Sequence, residues 1–151
     1  MIRDDIKAAS ISAMKSGDKS RTAAIRLIQA SLKNRDIELR GAAGAPSDDD
    51  ALVTELLQKM IKQRRESIAL YEQGGRAELA AGEQAEVEVI AGFLPRQMDE
   101  EEAKAAIEAI VAETGAASLK DMGRVMAALK ERHAGALDMS KASALVKARL
   151  S

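Results

Sequence analysis

Residues 62–95, KQRRESIALYEQGGRAELAAGEQAEVEVIAGFLP, determine the architecture because they form two helical segments joined by a tight turn. The first segment is charged and is interrupted at Gly74-Gly75, since paired glycines favour a turn over a helix interior. The second segment is rich in glutamate and ends at Pro95, which cannot continue a helix and restricts the residue before it. The stretch therefore predicts a helical hairpin followed by a domain boundary.

The composition of the whole chain favours helices. Its 151 residues include one tyrosine and one phenylalanine but no tryptophan, so the core must be aliphatic. Aliphatic and charged residues suit helices better than sheets, which favour aromatic and β-branched side chains. The chain has no cysteine, which excludes disulfides, thiolate metal sites and a cysteine nucleophile.

Apolar periodicity predicts an all-α protein of seven helices, with a four-helix lobe at residues 1–95 and a three-helix lobe at residues 96–151. The turn-rich stretch 41–50, GAAGAPSDDD, is the expected long loop. The expected helices are Ile2–Lys15, Asp18–Arg40, a third that follows residue 50 and ends at Gln73, Arg76–Phe93, Asp99–Thr114, one capped by Ser118, and one from Ser140 onward. Leu70, Leu79 and Leu119 are expected to face the core.

The formal net charge of −1 conceals segments of opposite sign. Residues 1–46 and residues 115–151 each carry an excess of four basic side chains, whereas residues 47–114 are acidic. Nucleic-acid-binding proteins usually have an overall basic footprint. Any nucleic-acid binding by this chain must therefore be local.

The sequence also predicts a soluble, cytoplasmic protein. The N-terminal MIRDDIKAAS carries acidic residues and lacks the apolar run of a signal peptide. No 18 consecutive apolar residues occur, so we expect no membrane-spanning helix.

Catalytic motifs are absent from the sequence. The only histidine, His133, falls in a predicted loop and has no orienting partner visible in the sequence. The chain has no HExxH, no GxSxG and no glycine-rich phosphate-binding motif. We therefore expect no catalytic residue, no metal site and no cofactor.

Two glutamates and two arginines lie on the two helices of the predicted hairpin. Glu83 and Glu86 are three residues apart and share a helix face. Arg64 and Arg65 lie on the preceding antiparallel helix. An ion-pair network between the helices is the favoured interpretation, and a carboxylate metal site is the alternative, although it would need more ligands than this spacing supplies.

The C-terminal lobe contains a glycine inside a predicted helix. A glycine inside a helix lowers the stability of the helix by roughly 0.5–1 kcal/mol relative to alanine. The presence of Gly123 therefore indicates a specific role. It could permit close helix packing, or it could let a phosphate backbone or a partner approach. Several basic residues lie in the same lobe, namely Lys120, Arg124, Lys130, Lys141 and Lys147. They could contact phosphates, or they could form an ordinary solvated surface.

Two separated blocks of the sequence are similar to one known family. The first block comprises Lys62, Gln63, Arg64, Glu66, Ser67, Arg76, Leu79, Glu83, Glu86, Leu94 and Pro95. The second is Asp121-Met122-Gly123-Arg124-Val125-Met126. Together they resemble the signature of the GatB/YqeY family, small helical proteins whose C-terminal lobe is also the tail domain of the B subunit of the glutamine-dependent aspartyl/glutamyl-tRNA amidotransferase.

The resemblance implies a tRNA-binding accessory module, because that tail domain contacts tRNA while other domains transfer the amide. The residues that it suggests for tRNA contact are Lys120, Gly123, Arg124, Lys130, Lys141 and Lys147. Stand-alone family members are often labelled as carbon–nitrogen ligases with glutamine as amido-N-donor, although these residues do not support independent catalysis. The other alternative is a protein-interaction module with a groove lined by Met122, Met126 and Met139.

Limited proteolysis tests this organisation. We expect the first cleavage within residues 41–50 and the next within residues 94–99, because both stretches contain glycine or proline and lack apolar periodicity. A helical fragment of residues 1–94 should survive, as judged by mass spectrometry and circular dichroism. Initial cleavage inside residues 55–70 would contradict the proposed lobes.

Overall fold

The computed structural model describes residues 1–40, 48–133 and 135–151. Within these residues the chain forms helices and no strand, which confirms the predicted all-α class. The chain divides into two compact units, Met1–Leu94 and Pro95–Ser151. The predicted loop at residues 41–50 lies outside the described residues except for its last three, Asp48, Asp49 and Asp50.

The first unit contains four helices: α1 (Ile2–Ser16), α2 (Lys19–Leu39), α3 (Asp49–Gln73) and α4 (Ala77–Ala91). The second contains α5 (Glu100–Thr114), a 3-10 turn (Leu119–Asp121), α6 (Met122–His133) and α7 (Met139–Leu150). His133 is thus the last residue of α6, and its predicted position in a loop is wrong. The apolar positions end before His133, but the backbone hydrogen bonds of α6 continue to it.

Local capping fixes several of these helix ends. The Asp18 carboxylate accepts a hydrogen bond from the Arg21 backbone N–H at 3.0 Å, and Asp99 accepts one from Glu102 at 2.7 Å. Each side chain satisfies an N–H that has no partner within the helix. Gly17 ends α1 in the left-handed conformation, with φ of 72°. The sequence predicted these boundaries because a cap requires only a few neighbouring residues.

The core of the first unit is built around the α3–α4 hairpin. Val53 and Leu57 of α3 are fully buried, and Ile90 of α4 is almost so. They pack with Ile25 and Ile28 of α2 in one aliphatic cluster. Burying each such side chain contributes about 1.5–3 kcal/mol to folding, so this cluster is the main source of stability for the unit.

Three predicted core leucines are exposed instead. Leu70 is 68% exposed, Leu79 40% and Leu119 47%. Leu70 lies near the C-terminal end of α3, more than two turns beyond Ile61, which is the last buried residue of that helix. Leu119 lies in the 3-10 turn, where the α-helical spacing used to place it does not apply.

The second unit has its own aliphatic core. The four α5 residues predicted to be buried are indeed buried, namely Ala103, Ile107, Ile110 and Val111. Val125 and Leu129 of α6 and Val146 of α7 complete the cluster and are fully buried. One apolar stripe on each helix therefore suffices to assemble this small unit.

An arginine near the N-terminus joins three helices of the first unit. Arg3 donates from Nη1 to Asp36 of α2 at 2.9 Å and from Nε to Asp49 of α3 at 3.0 Å. The Ile2 backbone N–H donates to Asp50 at 3.0 Å. The hydrogen bond from Arg3 holds the pKa of Asp49 below its usual value. We call Arg3, Asp36 and Asp49 the Arg3 cluster.

Replacing Arg3 with methionine should lower the free energy of unfolding by about 1 kcal/mol, since the cluster is partly exposed and screened by solvent. Because the pKa of Asp49 is lowered in the folded state, its contribution is complete above the ordinary carboxylate pKa. It is lost as the pH falls through the folded-state value. Urea unfolding across this acidic range should show the difference between wild type and Arg3→Met vanishing at low pH.

Lys7→Met is the matched control, because Lys7 lies on the same helix, is exposed, and forms no ion pair with a described residue. An equal loss of stability in both variants at neutral pH would contradict a specific role for the Arg3 cluster.

Candidate functional site

The residues predicted to contact nucleic acid all lie in the second unit. Lys120 is in the 3-10 turn, and Gly123 and Arg124 are in the first turn of α6. Lys130 lies in the last turn of α6. Lys141 and Lys147 lie near opposite ends of α7.

Asp121 organises the start of α6. Its Oδ2 accepts hydrogen bonds from the backbone N–H groups of Ala117 at 2.9 Å and Ser118 at 3.3 Å. Its Oδ1 accepts one from Arg124 Nη2 at 2.7 Å. The two backbone donors, together with Arg124, lower the pKa of Asp121, so the carboxylate stays ionised at neutral pH. Arg124 is therefore already paired with an anion of its own chain.

Gly123 does not serve close helix packing. It is exposed, and a Cβ atom added to it would meet no heavy atom within 4 Å outside its own helix backbone and chain neighbours. The packing hypothesis is therefore wrong. At this point α6 presents bare backbone to its surroundings, which leaves the approach of an external group as the remaining interpretation from the sequence.

Arginines and lysines of the second unit differ in their pairing. Besides Arg124, the other arginines also form ion pairs: Arg96 with Glu102, Arg132 with Glu113, and Arg149 with Glu108. By contrast, four lysines are exposed and form no ion pair with any described residue, namely Lys120, Lys130, Lys141 and Lys147. The planar arginine fork suits carboxylates, whereas a lysine ammonium is a strongly hydrated point charge. The lysines therefore carry the positive charge available to a ligand.

Part of the basic character of α6 and α7 has a structural cause. Lys130 and Arg132 lie in the last turn of α6, and Lys147 and Arg149 lie in the last turn of α7. Cations there interact favourably with the negative end of the helix dipole. The unit as a whole contains nine basic and nine acidic side chains, so it is neutral.

Within α6 and within α7, the predicted basic contact residues do not share one helix face. Arg124 and Lys130 are six residues apart, so they project about 120° apart around the helix axis. The same separation applies to Lys141 and Lys147. Because a short connection makes α6 and α7 antiparallel neighbours, the start of α6 lies near the end of α7. The 3-10 turn also contacts α7.

We infer from this antiparallel arrangement that the lysines divide into two groups at opposite ends of the α6–α7 pair. We call Lys120 and Lys147 the upper pair, which lies at the end that contains Gly123. Lys130 and Lys141 form the lower pair, at the end where the two helices are connected. Sequence spacing alone did not reveal this division, because it depends on how the helices pack.

The methionines proposed to line a protein-binding groove are half-buried. Met122, Met126 and Met139 all pack against the core of the second unit. Their side chains thus stabilise the unit already, and only their remaining surface is available to a partner.

The residues of the predicted ion-pair network lie on α3 and α4. Arg64 Nε donates to Glu86 at 2.9 Å, and Arg64 Nη1 reaches the Met60 carbonyl at 3.4 Å. Arg65 is exposed and Glu83 is half-buried, and neither forms an ion pair with a described residue. Of the four residues, the structure joins only Arg64 and Glu86, in a largely buried pair that links the two helices of the hairpin.

In residues 1–40, 48–133 and 135–151, no group of three or more histidine and acidic side chains is arranged to hold a metal ion. Among the same residues, no helix has both the length and the apolar character needed to cross a membrane.

Gly123→Ala should raise the free energy of unfolding by about 0.5 kcal/mol, because alanine favours a helix and nothing obstructs its methyl group. Thermal and urea unfolding would measure the change. Gly17→Ala is the opposite control, since φ there is 72° and a side chain would be strained. A destabilised Gly123→Ala would show that the glycine is needed for the fold.

Comparison with known proteins identifies the family. The family model YqeY, described as Yqey-like protein, matches residues 3–150. The chain is 30% identical over 94 residues to "Altered inheritance of mitochondria protein 41, mitochondrial" from Saccharomyces cerevisiae strains YJM789 and ATCC 204508 / S288c. The match covers 62% of this chain and 46% of the yeast protein, so the chain spans about half the length of these curated relatives. Because the family model covers almost all of the sequence, the chain belongs to the YqeY family, as its two sequence blocks predicted.

Proposed function

We propose that this protein is a non-catalytic, cytoplasmic tRNA-binding accessory module that uses α6 and α7 of the second unit. The observation that carries the proposal is the exposed backbone at Gly123 beside lysines that have no ion-pair partner in the described structure. An RNA phosphate needs such a combination, because it must approach closely and must meet an uncompensated positive charge.

The upper pair is the principal contact in this proposal. Gly123 lies in the first turn of α6, where the positive end of the helix dipole favours an anion. Lys120 and Lys147 add two mobile ammonium groups at the same end. Arg124 has a smaller role than the sequence suggested, because Asp121 already binds it.

The lower pair supplies a second, separate contact. The two ends of α6 are about 18 Å apart, given a rise of 1.5 Å per residue. A ligand that meets both pairs must bring two segments of phosphate backbone to that spacing. Folded RNA such as tRNA offers such segments, so the division of the lysines favours recognition of shape over base sequence.

Binding should be weak and sensitive to salt. The second unit is neutral overall, so it attracts a polyanion only through local charge. Each phosphate that a lysine neutralises releases counterions, which makes log affinity fall linearly with log salt concentration.

The double variants Lys120→Gln/Lys147→Gln and Lys130→Gln/Lys141→Gln test the two pairs separately. In tRNA-binding titrations across a salt series, each lost phosphate contact should reduce the slope of log affinity against log salt by about 0.7–0.9. Lys59→Gln in α3 is the matched control, because Lys59 is an exposed lysine of the first unit with no ion pair to a described residue. It should bind as the wild type does.

Gly123→Ala gives an independent measurement in the same titrations. It should weaken tRNA binding while leaving the slope unchanged, since it removes no charge and only holds the phosphate farther away. The proposal is wrong if the wild type does not bind tRNA at about 50 mM salt, or if all variants bind equally well. Either result would favour the protein-interaction alternative.

A further inference from the structure

The α1–α2 hairpin of the first unit contains an open cleft that the proposed tRNA surface does not use. Its volume is about 350 Å³. The cleft is lined by Ala13, Met14, Gly17, Lys19, Thr22, Ala23 and Arg26. Ala13, Gly17 and Ala23 are the small residues of this lining, and the cleft lies beside the turn at Gly17.

Apolar side chains extend the α1 wall of this cleft. Lys7, Ile11 and Met14 follow the spacing i, i+4, i+7, which places them on one face of the helix. Ile11 is 46% exposed and Met14 is 51% exposed. This face is separate from the buried stripe of Ile6 and Ala13 that packs into the core. α1 therefore presents a second apolar surface that its own unit does not cover.

Two unpaired basic residues, Lys19 and Arg26, line the groove, and others lie on the same two helices. Five exposed basic residues from α1 and α2 form no ion pair with any described residue: Lys7, Lys15, Lys19, Arg21 and Arg26. The only acidic residue between Lys7 and Arg26 is Asp18, and its carboxylate caps α2. Elsewhere in this unit Arg3, Arg35 and Arg64 all have carboxylate partners. From Lys7 to Arg26 the hairpin thus carries one carboxylate for five unpaired cations.

We propose that this groove binds an acidic amphipathic helix of a partner protein. Ile11 and Met14 would contact the apolar side chains of that helix, and methionine adapts well to varied partner surfaces. Lys19 and Arg26 would pair with its carboxylates from the α2 side. Lys7 and Met14 are two helical turns apart, or about 10 Å along the axis of α1. Side chains at positions i, i+3 or i+4, and i+7 of a partner helix span the same length.

An acidic helix fits this surface better than RNA does. Phosphates would satisfy the cations but would leave Ile11 and Met14 exposed to water. A helix with both glutamates and leucines satisfies the charge and buries the apolar surface together. The site shares no residue with the lysine pairs on α6 and α7, because it lies in the other unit.

A designed peptide tests the proposal with the full-length protein. The probe is a fluorescein-labelled helical peptide with leucines on one face and glutamates on the other, and its binding is followed by fluorescence anisotropy. We expect saturable binding that weakens as salt rises. Ile11→Ser/Met14→Ser and Lys19→Glu/Arg26→Glu should each reduce affinity by about tenfold or more, as loss of central contacts does.

Two substitutions on α3 serve as matched controls. Leu70→Ser removes an exposed apolar side chain outside the groove, and Lys59→Glu reverses an exposed charge there. Both should leave peptide affinity unchanged, and circular dichroism should show that every variant remains helical. A peptide in which lysines replace the glutamates should not bind.

Three outcomes would overturn the proposal. The first is no saturable binding of the acidic peptide at low salt, or equal binding by all variants. The second outcome combines two results: tRNA displaces the bound peptide, and Lys19→Glu/Arg26→Glu no longer binds tRNA. Together these results would show that the groove binds RNA. The third is a dimer in sedimentation equilibrium that Ile11→Ser/Met14→Ser dissociates, which would make the occupant a second copy of this chain.

Discussion

The packing of α3 against α4 is the constraint on which the first unit depends. Phe93 packs against this core but is only partly buried, so the core gains its stability from many small aliphatic contacts, and only long helices in close register can supply enough of them. The Gly74-Gly75 turn sets that register, and the pair of Arg64 with Glu86 lies between the two helices at 2.9 Å. Helices α1 and α2 then complete a core whose shape the hairpin has already defined.

Pairing of charges separates structural cations from those available to ligands. Arginine residues of the second unit bind carboxylates of their own chain, while most of its lysines remain solvated. On the first unit, five exposed cations of α1 and α2 form no ion pair with a described residue, and they lie on the same hairpin as the exposed Ile11 and Met14. The proposed phosphate-binding surface thus rests on lysines of the second unit, and the proposed helix-binding surface rests on cations and apolar side chains of α1 and α2.

Sequence reasoning succeeded where the determining interactions are local. Caps at Asp18 and Asp99 and the buried stripe of α5 follow from a few neighbouring residues. It failed at Leu70, because the apolar spacing continues along α3 beyond Ile61, where the buried part of this helix ends. Arg3 could not have been found, since its partners lie 33 and 46 residues away in the sequence.

Sequence reasoning about the candidate site was limited in the same way, because it could use only local information. The residue types were visible in the sequence, and so was the unusual glycine. Whether Gly123 contacts another helix depends on tertiary packing, and so does the division of the lysines between two ends of the α6–α7 pair. Sequence spacing gives the angle between residues on one helix, but it does not give the neighbour that each residue meets.

The Arg3 cluster has a consequence for how this chain could change during evolution. By binding the end of α2 and the beginning of α3 to α1, it fixes the positions of two points in the chain that flank residues 41–47. Because one side chain holds both points, a substitution of Arg3 alone would release them together, so this position can change less freely than the exposed positions around it.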